Sequence, residues 1–379
     1  MKEENEQPVI FLPHLVLFVI TLVTTTFAGA EWTMGRSFFI GEELLGKNDF
    51  INGFSFSIPF LTVLTIHEFG HYFTARAYQV KVTLPYYIPF WLGFIGWPSL
   101  GTVGAFIRLK SPVSSRKGFF DIGIAGPLTG FVAALVLLWY GFTHLPPYDY
   151  IFQIHPDYAR FGPDYAKYVY EDNPVNFGIG KNLLFLFFEN FIATEPNRIP
   201  NSYELIHYPY LWAGYLALFF TALNLLPIGQ LDGGHVIFGL FGYKRHALIS
   251  KILFLLFVYY AGLGLLTPYQ TDKFALFMGM ILYTLFLFVT FKGLKFSRQN
   301  TLLLALLILS LQLVTVYAIP SAKGYNGWLL FTFLLGRVLG VYHPKAAQDE
   351  PLGKGRKILG WVALAIFILC FSPQPFIVD

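Results

Sequence analysis

Residues Phe50–His71 read FINGFSFSIPFLTVLTIHEFGH. This apolar run has the length of a membrane helix, which needs roughly 20 such residues, and it closes on His67, Glu68 and His71. Residues four apart share one face of a helix, so His67 and His71 point the same way, one turn apart. That spacing suits two imidazoles closing on one small metal ion. Glu68, rotated by about 100° along the helix, is placed to act as a general base beside them. Charged groups inside a bilayer cost ~2.5–3.5 kcal/mol each on insertion scales and usually mark function. The cluster therefore points to a metal site rather than to a structural group of polar residues.

The composition around this run places it in a membrane. Only 13% of the 379 residues are charged, while 55% are hydrophobic; an average soluble domain carries about 25% charged residues. So few charges would wet a soluble globule poorly. Disorder needs low hydrophobicity and is excluded. The single cysteine, Cys370, excludes a disulfide scaffold. A formal net charge of +4 argues against a nucleic-acid partner. The expected fold is an all-α polytopic membrane protein of about nine spans. They are Val9–Ala30, Phe50–Ala75, Phe119–Thr143, Pro209–Leu231, Ile252–Pro268, Phe274–Phe291, Thr301–Ile319, Tyr325–Val341 and Ile358–Ser372. Val9–Ala30 is longer and cleaner than a signal-peptide core, and nothing resembling a cleavage site follows it.

Charge between the spans gives an expected orientation, because short cytoplasmic loops collect Lys and Arg. Lys81, Arg108, Lys110, Arg116 and Lys117 follow the second span without an acid among them. Lys244, Arg245 and Lys251, then Lys292, Lys295 and Arg298, then Lys345, Lys354, Arg356 and Lys357 continue the bias. His144–Tyr208 is instead acidic, with Asp149, Asp157, Asp164, Glu171, Asp172, Glu189, Glu195 and Glu204. This puts the N-terminus and the basic loops in the cytoplasm, and the acidic loop and Asp379 outside. Three regions are expected: 1–49 as a first span with its outer connection, 50–245 as the core, and 246–379 as a C-terminal helical bundle.

Two connections are not simple turns. Lys81–Arg116 is rich in Pro and Gly, and its β-branched and aromatic stretches Val80–Phe90 and Thr102–Leu109 read as two short strands. Apolar backbone that is not helical must pack on protein or line a wet cavity. A membrane-associated hairpin is expected there, either clamping an extended peptide by β-addition or merely plugging the surface. The acidic loop contains a helical piece, Leu183–Phe191, and reads as a lid.

A zinc ion takes a third protein ligand and leaves a fourth position to water. Asp232 follows the charge-free stretch Leu211–Leu231 in the context Asn224-Leu-Leu-Pro227-Ile-Gly-Gln-Leu231-Asp232-Gly233-Gly234-His235. Pro227 breaks the helix and lets another element enter. The plain alternative is that Asp232 N-caps a helix through Val236–Leu240. His14 reads as a packing or capping residue and His235 as a neighbour of Asp232. His144, His155, His207, His246 and His343 lie in or near loops, where a solvated or capping role is the default. Gly70 allows close approach of backbone or substrate, and Cys370 reads as a small buried hydrophobe.

His67-Glu68-Phe69-Gly70-His71, followed by Asn224-x-x-Pro227-x-x-x-x-Asp232-Gly233, resembles the site-2 protease family of intramembrane zinc metalloproteases. Ala125-Gly126-Pro127 resembles a further element of that family, and the likeness covers roughly residues 50–245. It is nearest to bacterial and plastid-type members, with no PDZ domain between the spans. The resemblance implies Zn2+ held by His67, His71 and Asp232, with Glu68 activating water and Asn224 assisting the substrate or the oxyanion. It also implies hydrolysis of a peptide bond in or next to a transmembrane segment of single-span membrane proteins, in a bacterial cytoplasmic membrane. A transporter or channel with a buried His/Asp ion site is the competing reading, opposed by the lack of duplicated halves. A non-cleaving pseudo-protease is the third.

Overall fold

A bilayer offers the backbone no hydrogen-bond partners, so apolar runs satisfy themselves as helices. The computed structural model describes residues 11–170 and 177–378. The start of the first expected span at Val9, the acids Glu171 and Asp172, and Asp379 lie outside the described residues. The helices are α1 (Phe11–Met34), α2 (Lys47–Asn52), α3 (Phe54–Ala77), α4 (Arg116–Thr143), α5 (Tyr150–Ile154), α6 (Tyr165–Tyr170) and α7 (Leu183–Phe191), followed by α8 (Pro209–Leu225), α9 (Asp232–Gly262), α10 (Lys273–Phe291), α11 (Arg298–Ala318), α12 (Trp328–Leu334) and α13 (Lys354–Cys370).

Among the described residues six stretches are long and apolar enough to cross a membrane: Phe11–Met34, Lys47–Ala77, Arg116–Thr143, Asp232–Gly262, Lys273–Leu294 and Arg298–Ala318. Three expected spans are shorter helices. The 17 residues of α8 and the 17 of α13 stand for two of them, and α12 has 7 before it passes into a π turn, Leu335–Leu339. The expected span Ile252–Pro268 overlaps the end of α9, which begins much earlier and breaks at Gly242 (φ 76°, ψ 174°). Glycine tolerates that backbone and other residues do not. Lys244, Arg245 and Lys251 consequently sit on a helix and not in a loop.

The chain forms two compact units. The first comprises Met1–Val113, Ile124–Leu223 and Ala365–Asp379; the second comprises Ser114–Gly123 and Asn224–Leu364.

In the first unit, β1 (Tyr86–Phe90) pairs antiparallel with β2 (Gly101–Phe106), with a register shift between Ile88 and Pro89. Pro89 has no N–H to give the ladder, which is where bulges are tolerated. A bridge between Val82 and Leu109 extends the pairing towards the base of the hairpin. The hairpin is tied to α1. Thr24 Oγ1 donates to Gly101 O at 2.7 Å, Trp32 Nε1 to Ser99 O at 2.8 Å, and His14 Nδ1 to Pro85 O at 3.1 Å. His14 thus has the packing role its position suggests. Leu183–Phe191 is the helix the sequence indicated, started by Asn182, whose side chain accepts from Phe185 N at 2.9 Å. A second small sheet joins β3 (Phe177–Ile179) antiparallel to β4 (Phe376–Val378).

In the second unit, the first turns of α4 are held by side chains. Arg116 Nε donates to Gly239 O at 2.9 Å. Arg356 grips the Asp121 carboxylate with two nitrogens, at 2.8 and 2.7 Å.

Candidate metal centre

α3 carries the His-Glu-x-x-His stretch in its second half and continues past it to Ala77. His67, Glu68 and His71 are 6%, 5% and 8% exposed, so all three polar heads are withdrawn into protein. The Nε2 atoms of His67 and His71 are 3.1 Å apart. Two ring nitrogens converging at this distance, in a buried turn, fit a shared small cation.

The neighbouring helix supplies the room. A Cβ at Gly126 of α4 would lie 2.1 Å from His71 Nε2, and one at Gly70 of α3 would lie 2.8 Å from Ala125 O. The imidazole therefore occupies the volume a side chain at 126 would need. Close approach at Gly70, expected for backbone or substrate, is made by the α4 backbone. The Ala125-Gly126-Pro127 element thus acquires a physical role. Thr129 Oγ1 adds a link between the helices, 3.2 Å from Ile66 O.

The hairpin brings one residue that the sequence did not indicate. Tyr87, on β1, has its hydroxyl 2.7 Å from Thr65 Oγ1, nearly one turn before Glu68. Burial raises the Tyr87 hydroxyl above its ordinary value, offset in part by the Thr65 bond, and the Glu68 charge raises it further. No spacing rule could have found this residue, since its placement depends on how the hairpin folds back on α3.

In the second unit, Asn224 lies in the last turn of α8 and Asp232 opens α9, both half-buried. The segment between them is anchored by side chains. Ser250 Oγ accepts from Gly229 N at 2.8 Å, and His246 Nε2 donates to Gly229 O at 3.1 Å. A Cβ at Gly233 would lie 1.9 Å from Leu225 O, so the helix start packs directly on the end of α8. The N-cap is Leu231, with no side-chain capping bond, and Asp232 is the first helical residue. Asp232 thus stands one residue inside the N-cap position that the capping alternative gave it. His235 Nδ1 lies 2.7 Å from His343 Nε2, and His343 Nδ1 lies 2.6 Å from Pro344 O. A carbonyl only accepts, so His343 donates from Nδ1 and takes the His235 proton bond at Nε2. The first unit thus gathers His67, Glu68 and His71, and the second sets Asn224 and Asp232 at the two ends of one turn.

The model of peptidase family M50 matches residues 55–267. The "Probable zinc metalloprotease EGY2, chloroplastic" of Oryza sativa subsp. indica is 28% identical over 190 residues, which is 50% of this chain and 30% of that protein. Its namesake in Arabidopsis thaliana is 30% identical over 182 residues, 48% of this chain and 28% of the relative. The "Probable zinc metallopeptidase EGY3, chloroplastic" of Arabidopsis thaliana is 26% identical over 243 residues, 61% and 37% of the two chains. The chain covers 30% of the rice relative's length and 28% and 37% of the two Arabidopsis proteins'. No solved structure matches.

Proposed function

Since this chain belongs to peptidase family M50, the site-2 protease family, we propose that it is a membrane zinc metalloprotease. In this reading it hydrolyses a peptide bond in or next to a transmembrane segment of single-span membrane proteins. The observation that carries the proposal is the buried His67–Glu68–His71 turn within a stretch of membrane-crossing length, with the two Nε2 atoms 3.1 Å apart. The protease core is residues 50–245, in line with the family match over 55–267.

His67, His71 and Asp232 would hold the zinc. Two imidazoles and a carboxylate suit zinc better than magnesium or calcium, which prefer all-oxygen sites. Asp232 is the first residue of α9 rather than its N-cap, which is consistent with a ligand role. When bound, zinc lowers the pKa of a water towards ~7 and polarises a carbonyl. Glu68 takes the proton of the attacking water and returns it to the leaving amine. Asn224 donates its side-chain N–H to the developing oxyanion, a contribution of ~3–4 kcal/mol where such donors have been removed. The hairpin offers a strand edge on which an extended substrate is held by main-chain hydrogen bonds. A transmembrane helix hides its carbonyls in i→i−4 bonds, so the substrate must unwind to be cut.

The nine crossings are the six long helices together with α8, α12 and α13. The N-terminus and the basic segments face the cytoplasm of a bacterial cell, or the corresponding side of a plastid membrane.

The test is Glu68→Gln in the full chain. The variant keeps its zinc and its expression level, its turnover falls about 10²–10⁴-fold, and single-span proteins persist uncut in the membrane proteome. An unchanged proteome with intact zinc overturns the proteolytic reading, and loss of ion flux in its place favours a transporter.

A further inference from the structure

The loop between α4 and α8 gathers a second set of metal-ligand side chains, in the first unit and apart from α3. His155 follows α5, while Glu204 and His207 stand three apart around a short 3₁₀ turn, Leu205–His207. In such a turn residues i and i+3 eclipse, so both side chains emerge together. His155 Nε2 is 3.2 Å from His207 Nε2, Glu204 Oε2 is 3.3 Å from His207 Nε2, and Glu204 Oε2 is 3.6 Å from His155 Nε2. We propose that His155, Glu204 and His207 form a second divalent-cation site, of the zinc class, outside the membrane-spanning helices.

The hydrogen bonding of these residues shows what the gap between them is made for. His207 Nδ1 donates to Thr33 O at 2.9 Å, which leaves its Nε2 as a bare lone pair facing Glu204. A backbone carbonyl fixing one ring nitrogen so that the other can coordinate is the usual outer arrangement of a metal-bound histidine. Glu204 is 2% exposed. Its Oε1 accepts from the Tyr170 hydroxyl, whereas Oε2 has no hydrogen-bond partner among the described residues. A buried carboxylate oxygen without a partner is costly. Here it points at two imidazole nitrogens, one of which can only repel it.

A divalent ion fits the gap between the three side chains, whose ligand atoms converge on one point. Tetrahedral zinc with ligands at ~2.0–2.1 Å holds them about 3.3 Å apart, against the 3.2, 3.3 and 3.6 Å seen here. The donor set of two imidazoles and one carboxylate excludes the oxygen-rich preference of calcium and magnesium. His155 is the half-exposed member, with 31% of its side chain accessible, so the fourth position opens to water on its side. An ion there would pin the segment after α5 to the turn before α8, and through Thr33 to the end of α1.

The test uses the full chain with His67→Ala and His71→Ala, so that zinc held by α3 is absent. After chelator treatment the protein is titrated with Zn2+ alone against a chromophoric chelator, and bound metal is counted by mass spectrometry. One zinc per chain is expected, with affinity falling at least about 100-fold on adding His155→Ala or Glu204→Gln, since even outer-shell changes cost 10–100-fold. The wild-type chain should bind two zinc ions and lose one with His155→Ala. No stoichiometric zinc in the folded double variant, or zinc binding unmoved by His155→Ala, overturns the second site. A wild-type chain whose single zinc is lost with His155→Ala leaves this site standing and overturns the α3 centre.

Discussion

Gly126 shows how tightly the α3 imidazoles are held. Its missing side chain is the space the His71 ring occupies, a Cβ there falling 2.1 Å from Nε2. Overpacking of this kind typically costs 1–3 kcal/mol, and the cheapest relief is to push His71 out of line. Gly126→Ala is therefore expected to weaken zinc binding by about 10–100-fold while the protein still inserts and accumulates. Metal counting on purified protein checks it, and undiminished zinc affinity would show that the ring is not confined by α4. At this scale the proposed ligands His67 and His71 and the proposed base Glu68 were legible from local rules, because helical spacing alone aligns His67 with His71. Gly126 was visible only as part of a likeness, and Tyr87 not at all. Both act through a neighbour that the backbone pattern does not name.

The hairpin and the long α9 show where element-level reading succeeds and where it slips. Alternating β-branched and aromatic residues mark two strands, and two strands form, shorter than expected and offset by the bulge at Pro89. If β2 clamps substrate, proline at Val103, whose side chain is 53% exposed, removes a main-chain donor without emptying a core. Processing of a membrane substrate should then drop at least about 10-fold at normal protein level; full processing would leave the hairpin as a surface plug. Asn182 accepts the Phe185 N–H at the start of α7, so Asn182→Ala is expected to destabilise the purified protein by about 1 kcal/mol, measured by denaturant titration in detergent. In α9 the basic cluster Lys244, Arg245 and Lys251 looked like a loop because charge interrupts hydrophobicity. The backbone instead breaks at Gly242 and resumes as helix at once, since lysine and arginine are good helix formers.

For the whole molecule, charge asymmetry makes a prediction of sidedness. In cells, Lys110→Cys and Lys292→Cys should react with a membrane-impermeant thiol reagent from the cytoplasmic side, and Arg160→Cys from the other. Cys370 is 1% exposed and adds little background. Labelling of positions 110 and 160 from the same side would overturn the orientation. The sequence by itself determined the membrane class, most of the long helices and the His67–Glu68–His71 turn proposed as the α3 centre. Those properties follow from composition and from periodicities only a few residues long. Tertiary structure alone decided the rest. It joined β3 to β4 across about half the chain, closed α4 on the His71 ring, and brought His155, Glu204 and His207, each an ordinary loop residue in the sequence, into one cluster. Contacts between distant segments arise from packing and desolvation, and no local pattern records them.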